Sequence, residues 1–179
     1  LENVGGELNA YTTKEETCIQ ASFLREYYNK AIELISDVAF NSTYPENELE
    51  KEKEVILDEI NSYLDSPAEE IYDDFENNIY KGHEMGRNIL GTRELVEGFT
   101  RDDLCSFLKN NYSTDRMVIA TIGDISFEKF KSKIIAHFGD YKRYDTVYHR
   151  TKFTPLPAFN VVHERNSHLS HCIIGGMAY

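Results

Sequence analysis

Between Tyr28 and Asn41 the apolar residues Ala31, Ile32, Ile35, Val38 and Ala39 recur at three- and four-residue spacing, which predicts a helix with one buried face. Asn41 to Pro45 supplies the stop. A second helix opens at Pro45, where a missing N–H is tolerated, and runs to about Leu64 with Leu49, Ile56, Ile60 and Tyr63 as its apolar stripe. Its other faces are dense with Glu and Lys. Asp65-Ser66-Pro67 then punctuates the chain. Ser66 as N-cap, Pro67 at the first helical position and Glu69 at the third predict a further helix to about Tyr80. Lys81 to Thr92 reads as a glycine-containing loop. Thr100-Arg101-Asp102-Asp103 has the form of a capping box with Asp for Glu and opens a helix to about Asn111, and Ser126 caps another to Phe138.

Strand signals lie between these helices. Glu7 to Thr13 and Glu16 to Arg25, separated by Lys14-Glu15, predict an antiparallel hairpin, and the apolar run Met117 to Ile122 predicts a buried strand. Asn160 to Glu164 and Leu169 to Tyr179 predict two more strands around Arg165-Asn166-Ser167. The fold class that follows is α+β, an antiparallel sheet packed against several helices. Leu1 to Val4 followed by Gly5-Gly6 reads as the last turn of a helix closed by a glycine cap, so more helix is expected upstream. Asp145 to Pro157 lacks periodicity and contains Pro155 and Pro157, which predicts a linker. The expected organisation is most of a first domain over 1–144, a linker over 145–158 and the opening hairpin of a next domain over 159–179. Two strands alone rarely make a stable unit, so both ends are expected to continue.

Composition changes the picture by exclusion. With 179 residues, 41% of them hydrophobic, the chain can bury a core. A net charge of -12 disfavours nucleic acid and anionic membranes, which are bound through clustered Lys and Arg. The same acidity suits basic peptides and serves solubility equally well. No apolar run is long enough for a membrane span. Three widely spaced cysteines, Cys18, Cys105 and Cys172, indicate neither a disulfide framework nor a thiolate zinc site and suit a reducing, cytoplasmic setting.

The densest candidate for chemistry is the acidic run on the second helix. Glu52 and Glu59 lie seven residues apart, hence on one face and roughly 10 Å apart along the axis. Zinc–carboxylate bonds are only about 2.0–2.2 Å, so a shared ion is strained and one ligand with a charged neighbour fits better. Spacing alone favours a solvated face with Glu–Lys pairs and does not make a site. His163, His168 and His171 differ in strand parity and show no zinc spacing, and His83, His137 and His149 are isolated. No Gly-x-Ser-x-Gly or comparable nucleophile signature occurs.

The string Glu52-Lys-Glu-Val-Ile-Leu-Asp-Glu59-Ile60 resembles the segment that follows the inverted zinc motif His-x-x-Glu-His in insulinase/pitrilysin peptidases. Gly5-Gly6 with Asn9-Ala10-Tyr11-Thr12, then Arg87 to Thr92, then Asn111-Tyr112-Ser113 through Gly123-Asp124 are similar to further segments of that family, in the same order. The resemblance implies a duplicated α+β domain and a zinc metalloendopeptidase. In it Glu59 is a zinc ligand, Glu52 a supporting acidic residue, and Asn9, Ala10, Tyr11 and Thr12 the edge strand that receives a peptide substrate by strand addition. It further implies that zinc-bound water attacks the peptide carbonyl, with the glutamate of His-x-x-Glu-His moving the proton. That motif is absent from these 179 residues. The piece is therefore expected to be inactive and to hold no zinc by itself, the metal belonging to the intact parent. The rival expectation is a noncatalytic family member that serves as structural or substrate-presenting partner to a catalytic subunit.

Overall fold

The computed structural model describes residues 1–141, 150–154, 157–164 and 168–176. In chain order its regular elements are β1 (Glu7–Thr12), β2 (Thr17–Ser22), α1 (Tyr28–Phe40), α2 (Glu46–Leu64), α3 (Pro67–Ile79), α4 (Arg93–Gly98), α5 (Arg101–Asn111) and α6 (Phe127–Phe138). The α+β class holds. The chain divides into two compact units, Leu1–Glu46 with Thr100–Val147 and Asn47–Phe99 with Tyr148–Tyr179.

In the first unit a short 3₁₀ turn, Glu2–Val4, ends at Gly5, whose φ of 74° is the left-handed conformation a glycine cap supplies. β1 and β2 then pair antiparallel, with Asn9 opposite Gln20, Ala10 opposite Ile19 and Tyr11 opposite Cys18. The turn between them is closed by the Thr13 hydroxyl, which accepts from the N–H groups of Glu15 and Glu16 at 3.3 and 3.2 Å. α1 packs on β2 and on α6, and the core forms there from Tyr28, Ile32 and Phe138, with Phe23, Ile35, Phe40 and Ile134 against them. The buried Ser36 hydroxyl donates to the His137 carbonyl at 2.8 Å, satisfying a helix-end acceptor of α6. α5 carries the full capping box, Thr100 and Asp103 each bonding the other's backbone N–H.

The second unit is built on α2, α3 and α4. Lys53 of α2 donates to Glu50 at 2.8 Å and to the Glu97 carbonyl at 3.2 Å, placing a cation on the C-terminal carbonyls of α4. Arg93 of α4 reaches the Asn61 side chain at 2.9 Å. Tyr63 donates to the Glu69 carbonyl at 2.9 Å, and burial, with Asp73 beside it, pushes its hydroxyl up to about 12. Beyond α3, Phe153 packs on Tyr80 with ring centroids 4.8 Å apart, and Phe159 on Phe75 at 6.0 Å.

Several expectations are corrected. Met117 to Ile122 forms no strand: among the described residues no neighbour supplies a ladder, and Val118 (95% exposed) and Ile122 (103%) face solvent. An apolar run predicts burial only where both faces are covered, and here Met117 packs against the core edge and the Thr121 hydroxyl lies 3.3 Å from that of Tyr28, while Val118 and Ile122 are left uncovered. Between residues 160–164 and 169–176 no backbone ladder is formed among the described residues. Arg165 to Ser167 and 177–179 lie outside the described residues, as do 142–144 at the end of the expected first domain and 145–149 and 155–156 of the expected linker. Ser66 and Ser126 make no side-chain caps; the Ser66 carbonyl takes the N–H groups of Glu69 and Glu70 instead. α4 falls where no helix was expected. Its signal was Thr92, whose hydroxyl accepts from the Leu95 N–H at 3.4 Å.

Candidate metal-ligand helix and peptide-accepting strand

α2 keeps its half-buried and buried positions Leu49, Lys53, Ile56, Leu57, Ile60 and Tyr63 on one side. That stripe turns Glu52, Val55 and Glu59 outward together, spaced by three and four residues. Glu52 and Glu59 are both exposed. The lysines of this helix are engaged elsewhere, Lys51 with Glu48 at 2.9 Å and Lys53 with Glu50 at 2.8 Å, each three residues apart. The Glu–Lys pairing that would make α2 merely a solvated face therefore exists, but it passes over Glu52 and Glu59.

Glu59 offers one carboxylate. Among the described residues no three His, Cys, Asp or Glu side chains come together as a metal set, and a tetrahedral zinc site needs three protein ligands even when a fourth position is open. These residues do not by themselves fit a bound zinc. His163, His168 and His171 are exposed; His149 lies outside the described residues. His83 is used structurally. Its Nδ1 accepts the Met85 N–H at 3.1 Å and its Nε2 lies 3.0 Å from the Thr151 carbonyl oxygen.

In the other unit, Asn9, Ala10, Tyr11 and Thr12 form the exposed stretch of β1. β2 covers one edge of this strand, and no third strand pairs with the other among the described residues. Such an edge presents a row of backbone donors and acceptors, which is what strand addition requires. A hydrogen bond to Cys18 across the ladder pushes the Tyr11 hydroxyl above its ordinary value. The Asn9 Oδ1 accepts the Ala10 N–H at 2.8 Å, a contact that residue spacing gives no means of anticipating. A concavity of about 580 Å³ in the same unit, lined by Arg25, Tyr28, Asn29, Asp124, Lys129 and Lys133 among others, contains none of the predicted site residues. Arg25 there is paired with Asp124, and Lys133 with Asn29.

Comparison with known proteins agrees with the motifs. The family model "Insulinase (Peptidase family M16)" matches residues 1–93, and "Peptidase M16 inactive domain" matches residues 98–175. The chain is 39% identical over 142 residues to the uncharacterized zinc protease YmxG of Bacillus subtilis, covering 79% of this chain and 34% of that protein. It is 37% identical over 140 residues to a probable mitochondrial-processing peptidase subunit beta of Schizosaccharomyces pombe, covering 78% of this chain and 30% of that one. The chain thus spans about a third of the length of these relatives. Its fold matches a protease from Helicobacter pylori with a TM-score of 0.77 at 22% identity, over 86% of this chain and 38% of that structure. Those matches cover the hairpin, α2 and the Gly123-Asp124 turn alike: the chain belongs to the insulinase family of peptidases, family M16.

Proposed function

We propose that this chain is part of a zinc metalloendopeptidase, to which it contributes Glu59 as one carboxylate ligand. Glu52 acts as the acidic neighbour, and Asn9 to Thr12 form the edge onto which an extended peptide is added as a further strand. The observation that carries this reading is the face of α2. An ordered helix holds Glu59 outward, clear of the lysine pairs on the same helix, within the region matched by the insulinase model. The curated relatives named zinc proteases support the metal, and the open edge of β1 supports the mode of substrate binding.

The 179 residues by themselves are inactive, because they lack His-x-x-Glu-His and a single carboxylate cannot hold catalytic zinc. A further domain or second subunit completes the site, and a processing-peptidase subunit among the relatives is consistent with the two-chain case. When bound, zinc supplies Lewis acidity and an activated water. This chain's share is a ligand and a substrate platform.

Strand addition is tested with the full encoded protein and two basic peptides of one sequence, the second N-methylated at alternate residues along its pairing edge. Cleavage of the first and not the second is expected. Equal cleavage of both contradicts the platform role of β1, and a protein that cleaves neither and holds no zinc is a noncatalytic partner.

A further inference from the structure

The hydrogen-bond phase of the hairpin determines which groups of β1 face its open edge. The Thr13 N–H donates to the Glu16 carbonyl at 2.8 Å, so that pair bonds inward, and alternation along an antiparallel ladder makes Tyr11–Cys18, Asn9–Gln20 and Glu7–Ser22 inward pairs too. Leu8, Ala10 and Thr12 then direct their N–H and carbonyl groups outward. At the middle of this row the donor is occupied: Ala10 N–H is held by the side-chain oxygen of its neighbour Asn9 at 2.8 Å. Open edges invite pairing with any passing strand, and native proteins blunt them. A short polar side chain that holds the central donor is one way to do so without adding bulk.

We propose that Asn9 guards the β1 edge, its side-chain oxygen holding the Ala10 N–H while no strand is present and releasing it to the carbonyl of an incoming peptide. The inference rests on the reading of residues 9–12 as the peptide-accepting strand. Asn9 is then a positioning residue, setting how tightly a backbone must bind before it displaces the side chain.

Two readouts on the full encoded protein, stripped of metal by a chelator so that peptide is bound and not cut, separate the guard from the platform. Amide hydrogen exchange by NMR, normalised to unstructured rates, should find Ala10 about fivefold slower than Leu8 and Thr12, the factor one exposed hydrogen bond supplies. Asn9→Ala should abolish that difference and Asn9→Asp, which keeps the acceptor, should preserve it. A fluorescein-labelled twelve-residue Lys/Val peptide should bind Asn9→Ala about fivefold more tightly than wild type. Ala10 exchanging as fast as its outward neighbours, or weaker peptide binding by Asn9→Ala, overturns the guard. If the exchange difference is found but no form binds the peptide, the platform reading fails, and the displacement role fails with it.

Discussion

Gly123 has a steric reason to be glycine that a double-mutant cycle can expose. Its φ is 154°, and a Cβ built there would lie 2.6 Å from the Tyr28 hydroxyl oxygen, with the next atom, Tyr28 Cζ, at 3.8 Å. Real Cβ atoms do not approach so closely, so Gly123→Ala must displace Tyr28. That ring is not free to move: Tyr28 is buried, sits edge-on to Phe23 at 5.0 Å and lies 3.3 Å from the Thr121 hydroxyl. Forced overpacking costs about 1–3 kcal/mol, and the positive φ removes the gain that Gly→Ala brings at compatible sites. Tyr28→Phe deletes the clashing oxygen and leaves an ordinary 3.8 Å contact, itself costing about 1 kcal/mol for the bond to Thr121. The double variant should therefore be more stable than the sum of the singles predicts by about 1 kcal/mol or more, with backbone strain as the remainder. Urea unfolding followed by circular dichroism measures all four corners. Additivity within about 0.5 kcal/mol refutes the clash, and with it this account of the Gly123-Asp124 turn.

Three further outcomes follow from the same structure. The Thr100 hydroxyl at 2.5 Å and the Thr100 N–H at 2.8 Å hold the Asp103 carboxyl below its ordinary range. A depressed folded pKa means that the capping contribution is complete above the unfolded value of about 3.9 and is lost as pH falls through the lower folded value. An NMR titration should give Asp103 a midpoint below the ordinary one in wild type and near it in Thr100→Ala; an ordinary midpoint in wild type contradicts the ionic box. Ser36→Ala should cost about 1–3 kcal/mol in urea unfolding by stranding the His137 carbonyl, and Ile32→Ala about 2–5 kcal/mol by opening a cavity in the α1–α6 core. Either change costing less than about 0.5 kcal/mol would mean that the α1–α6 packing is misjudged.

Local chemistry made most of the helices legible. α1, α2, α3, α5 and α6 begin and end within two residues of where apolar spacing, Pro67 and the Thr100 box place them, because those signals act within one turn of chain. The hairpin was equally local. α4 was missed because six residues carry too little periodicity, leaving only the Thr92 cap and the Glu94 carboxyl, whose pKa its own N–H and the Thr92 hydroxyl lower. Met117 to Ile122 was misread because burial of a strand is decided by what lies across it, which an apolar run does not encode. For the site, spacing placed Glu52 and Glu59 on one face but could not separate a ligand from a solvated charge. Lys51 and Lys53 choosing Glu48 and Glu50 was visible only in three dimensions. The bond from Ala10 to Asn9 depends on one side-chain torsion and leaves no mark in the sequence.

The metal content of the full encoded protein tests most directly the proposed role of Glu59 as a zinc ligand. Wild type is compared with Glu59→Gln and with Glu54→Gln, another exposed carboxylate of α2, which has no proposed metal role. Wild type and Glu54→Gln should carry stoichiometric zinc, while Glu59→Gln should lose affinity by at least about tenfold, since even outer-shell substitutions cost that much. Full zinc retention by Glu59→Gln, with helix content unchanged, would contradict the assignment.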